Sequence, residues 1–273
     1  MCKSARALKG LKFLAISFVL LGLTATESIA IVVFSDDFDG GQTASPGVSA
    51  AYSGITTTES VQNYAGLGPS GNQFGGSFLR NVTGGSPTGT AGTMTTLTLT
   101  GLPAHTSVDV GFLLGTLDTW DGITGSSGTA PDYFNVLVDG TEVFEASFAQ
   151  QSGFGSGYSA PAGGLLSGFT NLFNGAVRDG AYNMEVEPAL NNIAHTSSTL
   201  EISFIADGAG WQGASGGAFG GLLDADESWA IDNLRVSVTA VPEPSSFILL
   251  GLVASGPICL RLKKRFGRST KIA

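Results

Sequence analysis

Carboxylate side chains gather beside turn-forming glycines at three places in the chain, and these clusters are its first candidates for chemistry. They lie within residues 36–40, 118–132 and 224–233. Closely spaced carboxylates repel one another, and calcium, which prefers hard oxygen ligands, would relieve that repulsion. Because the linear calcium-loop pattern is absent, a calcium site has to draw ligands from several segments. The alternative is a set of solvated turn aspartates that bond to their own backbone.

Two tryptophans are candidates for stacking against sugar rings. Trp120 lies at a turn and Trp211 in a glycine-rich loop, and both positions favour exposure. The alternative at both positions is that the ring packs beneath its own loop. The third tryptophan, Trp229, falls in a predicted strand and is expected in the core.

The motifs that resemble catalytic patterns fail on order or spacing. Ser215 has the glycine spacing of a nucleophile elbow, but that triad places histidine after serine, whereas His105 and His195 precede it. The two histidines also lack any metal-binding spacing. We therefore predict that the chain is not an enzyme. Acid pairs for glycoside hydrolysis stay open as the alternative, and their candidates are Glu185, Glu187 and the pair at 226–227.

The charge distribution separates a central body from two basic ends. Residues 31–240 contain twenty acidic residues against three arginines, a formal charge of −17, and they contain no lysine. A surface this acidic repels phosphate backbones, which excludes nucleic acid as a partner and favours divalent cations. Both cysteines, Cys2 and Cys259, lie outside the body. The body can therefore form neither a disulfide framework nor a cysteine zinc site.

The first thirty residues follow the pattern of a secretory signal peptide. A basic start is followed by an apolar run at 13–23 and by small and polar residues that end at Ala30, after which we expect cleavage by signal peptidase. Eleven apolar residues are too few to cross a hydrocarbon core, which needs about 20.

The last thirty-three residues contain three parts in a fixed order. Pro242, Glu243 and Pro244 come first, an apolar stretch at 245–260 follows, and a basic cluster ends the segment: Arg261, Lys263, Lys264 and Arg265. The prolines stop the preceding strand and keep this tripeptide extended and accessible. The apolar stretch predicts a short transmembrane helix whose trailing cations stay in the cytoplasm.

This order resembles the PEP-CTERM sorting signal of Gram-negative bacteria. The resemblance implies recognition by an exosortase, a membrane protease-transferase, and coexistence with exopolysaccharide production in a biofilm matrix. It implies a protein that is transiently anchored in the inner membrane and ends at the cell surface or in the extracellular matrix. Pro257 departs from an ideal membrane helix, since it would kink the apolar run.

The body between the two ends shows strand periodicity. Apolar residues alternate with polar ones within residues 94–100, 108–114, 200–204 and 234–238, which predicts half-buried strands. The dipeptide at 139–140 predicts a tight hairpin turn between strands at 133–138 and 141–148. With weaker runs at 31–38, 48–55 and 72–80 the body has eight to ten predicted strands. We therefore predict an all-β fold, a single two-sheet antiparallel sandwich of the jelly-roll type at 31–240, between a signal peptide at 1–30 and a sorting signal at 241–273.

Residues 226–236 resemble the last strand of calcium-stabilised, carbohydrate-binding-like jelly rolls. In such proteins an aspartate of the final strand and acidic groups near the first strand share one ion. The resemblance implies a structural calcium held by Asp232 together with Asp36 or Asp37.

The leading hypothesis from sequence is an exported, surface-sorted β-sandwich that works as a structural or glycan-interacting component of the extracellular matrix. Exopolysaccharide is the expected partner. The alternative is a secreted carbohydrate-active enzyme on the same fold.

Overall fold

A computed structural model of the chain describes residues 30–85, 88–123, 131–150, 155–173, 178–213 and 227–241. These residues contain fourteen β-strands and three single-turn 3-10 helices, but no α-helix. The strands are Ala30–Asp36 (β1), Thr43–Ala44 (β2), Ser49–Gly54 (β3), Thr58–Ser60 (β4), Ser77–Asn81 (β5), Thr95–Thr100 (β6), His105–Asp118 (β7), Tyr133–Val138 (β8), Thr141–Ser147 (β9), Leu165–Thr170 (β10), Asp179–Asn183 (β11), Ile193–Ala194 (β12), Thr199–Asp207 (β13) and Glu227–Ala240 (β14). The helical turns are Gln62–Tyr64, Met184–Val186 and Pro188–Leu190.

The strands form two antiparallel sheets. The larger sheet has the strand order β10-β11-β7-β14-β1-β2, with β12 added to β7, β5 added to β14 and β4 added to β5. The smaller sheet has the order β3-β6-β13-β8-β9. The predicted all-β, two-sheet antiparallel sandwich is confirmed.

Large apolar side chains from both sheets fill the space between them. Phe112 of β7 packs at 5.3 Å, centroid to centroid, against Phe204 of β13 and at 6.2 Å against Phe134 of β8. Trp229 of β14 lies 5.3 Å from Phe134 and is 1% exposed, so its predicted core position is confirmed. These edge-on and tilted contacts join the sheets, and aromatic side chains typically bury roughly 150–250 Å² each.

A second apolar cluster covers the outer face of the larger sheet. It contains Tyr64, Phe74 and Phe78, which pack over Leu113 and Leu117 of β7. The tyrosine hydroxyl is satisfied because it donates to two backbone carbonyls in the sheet below. The prediction of a half-buried strand at 108–114 is therefore wrong for residues 111–114, where both faces of β7 are covered. The first half of β14, where no alternation is predicted, is covered on both faces in the same way. Alternating apolar residues indicate that one face of a strand is buried. They do not show whether another segment of the chain also packs on the opposite face.

The predicted hairpin is confirmed. Strands β8 and β9 pair across a turn at Asp139 and Gly140, both of which adopt positive φ angles, 49° and 74°. Such angles are what a two-residue turn requires. The sequence missed β10 and β11, which carry glycine and polar residues in place of alternation.

Arg80 of β5 is the one buried cation among the described residues. Its Nε donates to Ser228 at 3.0 Å, one terminal nitrogen lies 3.1 Å from Glu59, and the other lies 3.7 Å from Asp118. Its guanidinium carbon also stands 4.5 Å from the centre of the Phe173 ring. The covered face of the larger sheet is therefore stabilised by the ionic contacts of Arg80 as well as by apolar packing.

The first and last strands of the body lie side by side. β1 pairs with β14 from Ala30 opposite Thr239 to Asp36 opposite Leu234. β14 pairs along its other edge with β7, from Glu227 opposite Asp118 to Ala240 opposite His105. Ala30 and Ala240 are therefore close together at one end of the sandwich, which we call the sorting end.

Candidate functional site

Acidic groups from the first and last strands meet on the larger sheet, in a cluster that we call the acidic corner: Asp36, Asp37, Asp39 and Asp232. Asp36 ends β1 and pairs in register with Leu234 of β14. The register of β14 shifts between Asp232 and Arg235, and Asn233 in that bulge has a φ of 51°. A bulge bends the strand and re-aims the side chain beside it, here the carboxylate of Asp232.

Asp232 is 1% exposed, and no basic side chain in the described part of the chain forms an ion pair with it. One carboxylate oxygen accepts a hydrogen bond from the Gly75 amide at 3.1 Å, and the other accepts from the Asn233 amide at 2.7 Å. Burial raises the pKa of Asp232 to about 7, and the neighbouring charges of Asp39 and Asp37 add to the rise while the two amides oppose it. At neutral pH this carboxyl group therefore stands at the point of losing its proton.

Asp39 reaches the same segment from the other side. Its carboxylate accepts from the Ser77 amide at 2.7 Å. Gly76, between that amide and Gly75, has a φ of 53°, and a Cβ there would collide with the Asp39 carboxylate. The backbone at 75–77 therefore approaches two carboxylates closely, those of Asp39 and Asp232.

The four aspartates do not all face the same way. Asp36 is 4% exposed and accepts from the Phe38 amide, and its charge acts with burial to raise the pKa of the Tyr52 phenol. Asp37 is exposed and accepts from the Asp39 amide. The structure thus brings Asp37 and Asp232 into electrostatic contact, whereas Asp36 acts on Tyr52.

A polar groove of about 260 Å³ runs from Asp37 across β1 and β14. The side chains that carry its chemistry are Asp37, Thr43, Asn72, Glu185, Asn233 and Arg235. The Glu185 carboxylate accepts from the side-chain amide of Asn72 at 3.1 Å and lies 3.7 Å from Arg235. Part of the floor is glycine, Gly71 and Gly111, so the groove is bounded there by backbone.

The acidic corner offers oxygen ligands but no complete metal centre. Within the described ranges, no three His, Cys, Asp or Glu side chains converge closely enough to hold a metal ion. A calcium ion at Asp37, Asp39 and Asp232 would have to complete its six to eight oxygens with backbone carbonyls, amides and water. The carboxylate oxygens are of the type that calcium prefers.

The two tryptophans proposed for sugar stacking are fully buried. Trp120 donates its indole N–H to the carbonyl of Ser228 at 2.9 Å, and Trp211 donates to the carbonyl of Thr83 at 3.0 Å. Their rings contact each other edge-on at 5.2 Å. The expectation of exposure is wrong at both positions, because each ring is buried and its indole N–H is bonded to a backbone carbonyl.

The acids proposed for glycoside hydrolysis are dispersed. Glu185 lines the polar groove, Glu187 bonds to the Tyr158 hydroxyl at 2.9 Å, and Glu227 is buried and accepts from the Gln212 amide at 2.7 Å. Asp226 and Ser215 lie outside the described residues.

Sequence reasoning missed an interaction between the two histidines. They lie ninety positions apart in sequence, yet their ring nitrogens approach to 2.6 Å. No spacing rule could have found them, because β12 delivers His195 to β7 by pairing Ile193 with Val108.

The sequence-predicted processing residues fall at the limits of the described chain. Ala30 begins β1, whereas the tripeptide at 242–244, the apolar stretch and the cluster of Arg261, Lys263, Lys264 and Arg265 lie outside the described residues. No helix in the described part is long and apolar enough to span a membrane.

A protein-family model described as the PEP-CTERM protein-sorting motif matches residues 240–265. No curated protein and no solved structure matches the chain. The matched segment includes Pro242, Glu243, Pro244 and the basic cluster, and it begins at the last residue of β14. The chain therefore carries the signal of an exported protein that exosortase sorts to the cell surface.

Proposed function

We propose that the protein is a surface or extracellular-matrix β-sandwich that contacts glycans through the polar groove and is stabilised by calcium at the acidic corner. The observation that carries the proposal is the sorting motif that begins where β14 ends. A motif at that position delivers the whole sandwich to the outside of the cell, where polysaccharide and divalent cations are available. The groove and the acidic corner are the two features of the sandwich suited to them.

The side chains of the groove support a glycan ligand. Carboxylate, amide and guanidinium groups are planar and can each bond to two neighbouring hydroxyls, which is the pattern a sugar ring presents. The volume of about 260 Å³ is close to the lower end of small-ligand sites, so one or two sugar units fit at a time. With both loop tryptophans buried, recognition would depend on hydrogen bonds and not on stacking.

The charge of the body discriminates between classes of glycan. A body with a formal charge of −17 repels acidic polymers, so we expect neutral polysaccharide to bind directly. Uronic-acid polymers would require calcium to bridge their carboxylates to those of the protein. Binding of neutral polysaccharide therefore tests the groove, and calcium-dependent binding of uronic-acid polymers tests the calcium site.

Affinity electrophoresis of the full chain through gels that contain dextran or alginate tests the proposal. We expect dextran to retard the wild type with or without calcium, and alginate to retard it only with calcium. Arg235→Gln should lose the dextran retardation, whereas Arg178→Gln, an exposed arginine outside the groove, should keep it. Equal mobility of wild type and Arg235→Gln in dextran would exclude the groove as a glycan site.

A further inference from the structure

A second pocket adjoins the polar groove at Asp36, the last residue of β1, which lines both. Its volume of about 460 Å³ is within the range of small-ligand sites. Tyr52 of β3 comes from the smaller sheet, Leu79 of β5 from the larger sheet, and Phe38 from the loop that follows β1. Leu79 belongs to the core between the sheets, so the pocket lies at the edge of that core. We call it the aromatic pocket.

Two neighbouring aromatic side chains line this pocket. The ring centroids of Phe38 and Tyr52 are 6.2 Å apart, with their planes inclined by 50°. Both side chains are half-buried and pack against the core. The hydroxyl of Tyr52 is buried, so it is not the part of this side chain that a ligand meets. An aromatic ring offers an apolar surface with a negative face. These side chains therefore suit a ligand with an apolar face or a positive charge.

Asp36 supplies the charge of the aromatic pocket. It is 4% exposed, and its carboxylate accepts from the Phe38 amide at 2.9 Å. No basic side chain in the described part of the chain forms an ion pair with it, and none lines the pocket. Burial, helped by the charge of Asp36, raises the pKa of the Tyr52 phenol, so this side chain stays uncharged. The pocket therefore holds one carboxylate, to which the described residues supply no cation.

Arg80 follows Leu79 in β5, but it does not reach the pocket. Successive side chains of a strand point to opposite faces of the sheet. Leu79 faces the core, whereas the guanidinium carbon of Arg80 stands 4.5 Å from the centre of the Phe173 ring on the covered face. A cation that pairs with Asp36 therefore has to be supplied by a ligand or by the solvent.

Polar side chains complete the lining of the pocket. Gln42, Thr56 and Thr58 line it and are exposed. Their amide and hydroxyl groups can both donate and accept hydrogen bonds, as the hydroxyls of a sugar do. An ammonium group would form a charge-assisted hydrogen bond with Asp36 and would be attracted to the face of an aromatic ring. The ligand that matches all three features carries an ammonium group, an apolar face and several hydroxyls.

We propose that the aromatic pocket binds an amino-sugar residue of a polysaccharide, with its free ammonium group at Asp36 and its ring against Phe38 and Tyr52. A lysine side chain carries the same ammonium group, but it has no hydroxyls for the polar side chains of the lining. The body, with a formal charge of −17, attracts a cationic polysaccharide as a whole. The proposal shares with the proposed function only the premise that the exported body meets polysaccharide, and it depends on neither the groove nor calcium.

Calorimetric titration of the full chain in mild detergent and calcium-free buffer tests the pocket. The probe is the tetramer of β-1,4-linked glucosamine, and its fully N-acetylated form is the comparison. We expect the amino form to bind and the acetylated form to bind much more weakly, because acetylation removes the charge. Equal affinity for the two tetramers would overturn the proposal.

Two variants separate the pocket from the diffuse attraction of an acidic body for a cation. Asp36→Asn keeps an oxygen that can accept from the Phe38 amide but removes the charge. Its dissociation constant for the amino tetramer should rise at least about tenfold, because a hydrogen bond between charged groups is lost. Glu142→Gln removes one charge from an exposed position of β9, at the opposite edge of the sheet that contains β3, and should keep the wild-type affinity. Equal losses in both variants would refute the pocket.

A matched pair of phenylalanines tests the aromatic side chains. Phe38 and Phe169 have φ angles of 55° and 53°, which glycine adopts readily, so replacement by glycine suits the backbone at both positions. Phe38→Gly should raise the dissociation constant about threefold, since the contact of the ring with the ammonium group is lost. Phe169→Gly, at an exposed position outside the pocket, should leave it unchanged. Wild-type affinity in Phe38→Gly would contradict the assigned role of this ring.

A last comparison identifies the source of the ammonium group. Tetralysine should bind more weakly than the amino tetramer, and its binding should change little in Asp36→Asn. Tighter binding of tetralysine that is lost in Asp36→Asn would assign the pocket to a protein partner and overturn the amino-sugar proposal. The dextran gel with Arg235→Gln tests the groove by itself, so failure of one site leaves the result at the other standing.

Discussion

Replacing Asp232 by asparagine tests whether the acidic corner holds electrostatic repulsion that a cation can relieve. The pKa of Asp232 is raised to about 7, whereas an aspartate in an unfolded chain titrates at about 3.9. Between these values the folded protein keeps a proton that the unfolded chain releases. The free energy of unfolding therefore falls as pH rises through this window, and the reduction is complete above pH 7.

The size of the effect follows from the shift. Three pH units correspond to about 4 kcal/mol, and for a body of this size a loss of that order lowers Tm on the order of 10 °C. Asparagine has no proton to lose, so the fall should disappear in the variant. In the wild type, each carboxylate oxygen of Asp232 accepts a hydrogen bond from one backbone amide. The NH₂ group of asparagine cannot accept the second of these bonds, so the variant should be less stable than wild type at pH 4 by about 1 kcal/mol.

The assay is thermal unfolding of the full chain from pH 4 to pH 8, with Glu201→Gln as the control at an exposed carboxylate of the smaller sheet. The wild-type and Asp232→Asn curves should cross, with the variant the more stable at pH 8. Curves that stay parallel over the whole range would show that the burial of Asp232 is not the cause of the pH dependence.

Calcium adds a second arm to the same experiment. At about a hundred times its dissociation constant, calcium should stabilise the wild type by roughly 2.7 kcal/mol at pH 8, and it should stabilise Asp232→Asn much less. Equal melting temperatures in calcium and in chelator at matched ionic strength would remove the calcium proposal. The pH result would stand, because it depends on the carboxyl group alone.

Three further predictions concern the sorting motif, the buried Arg80 and Ser215, whose surroundings match the nucleophile-elbow spacing. Replacing Pro242 and Pro244 by alanine should leave the basic tail attached and the protein in the membrane fraction, as intact mass and fractionation would show; recovery of native protein from the cell surface with its tail intact would contradict the sorting mechanism. Arg80→Met should lower the free energy of unfolding by about 3 kcal/mol, because the buried carboxylate of Asp118 loses its cation. The control Arg178→Met, at an exposed position, should change the free energy of unfolding by less than roughly 0.5 kcal/mol. Equal denaturant midpoints for the two variants would refute this prediction. Ser215→Ala should leave hydrolase assays unchanged, and a serine-directed probe that labels Ser215 would disprove it.

Local patterns predicted the elements whose signal is carried by their own residues. Alternation identified β6, β13 and the second half of β14, and the Asp139-Gly140 pair identified the hairpin, because pleat and turn geometry act over a few residues. The weak strands β10 and β11 were missed because they are held by pairing, β11 to β7 and β10 to β11, which the sequence does not display.

The candidate site was predicted only in part, because some of its residues are brought together by contacts that are distant in sequence. The sequence associated the first strand with the last, and the structure sets Asp37 near Asp232. The contributions of Asp39, Gly75 and Gly76 depend on the loop that leads into β5. Exposure of Trp120 and Trp211 was inferred from loop composition, which does not report whether a ring turns inward. The histidine pair needed β12 to be placed on β7 before it could be seen.

The direction of β14 relates these features to the sorting step. The strand has fourteen residues, so its two ends lie roughly 45 Å apart. Its last residue begins the sorting motif and lies opposite His105 of the histidine pair, while Glu227 and Asp118 lie at the opposite end. The acidic corner and the groove lie between the two ends, because Asp232 and Arg235 are in the middle of the strand, so neither of them adjoins the sorting motif.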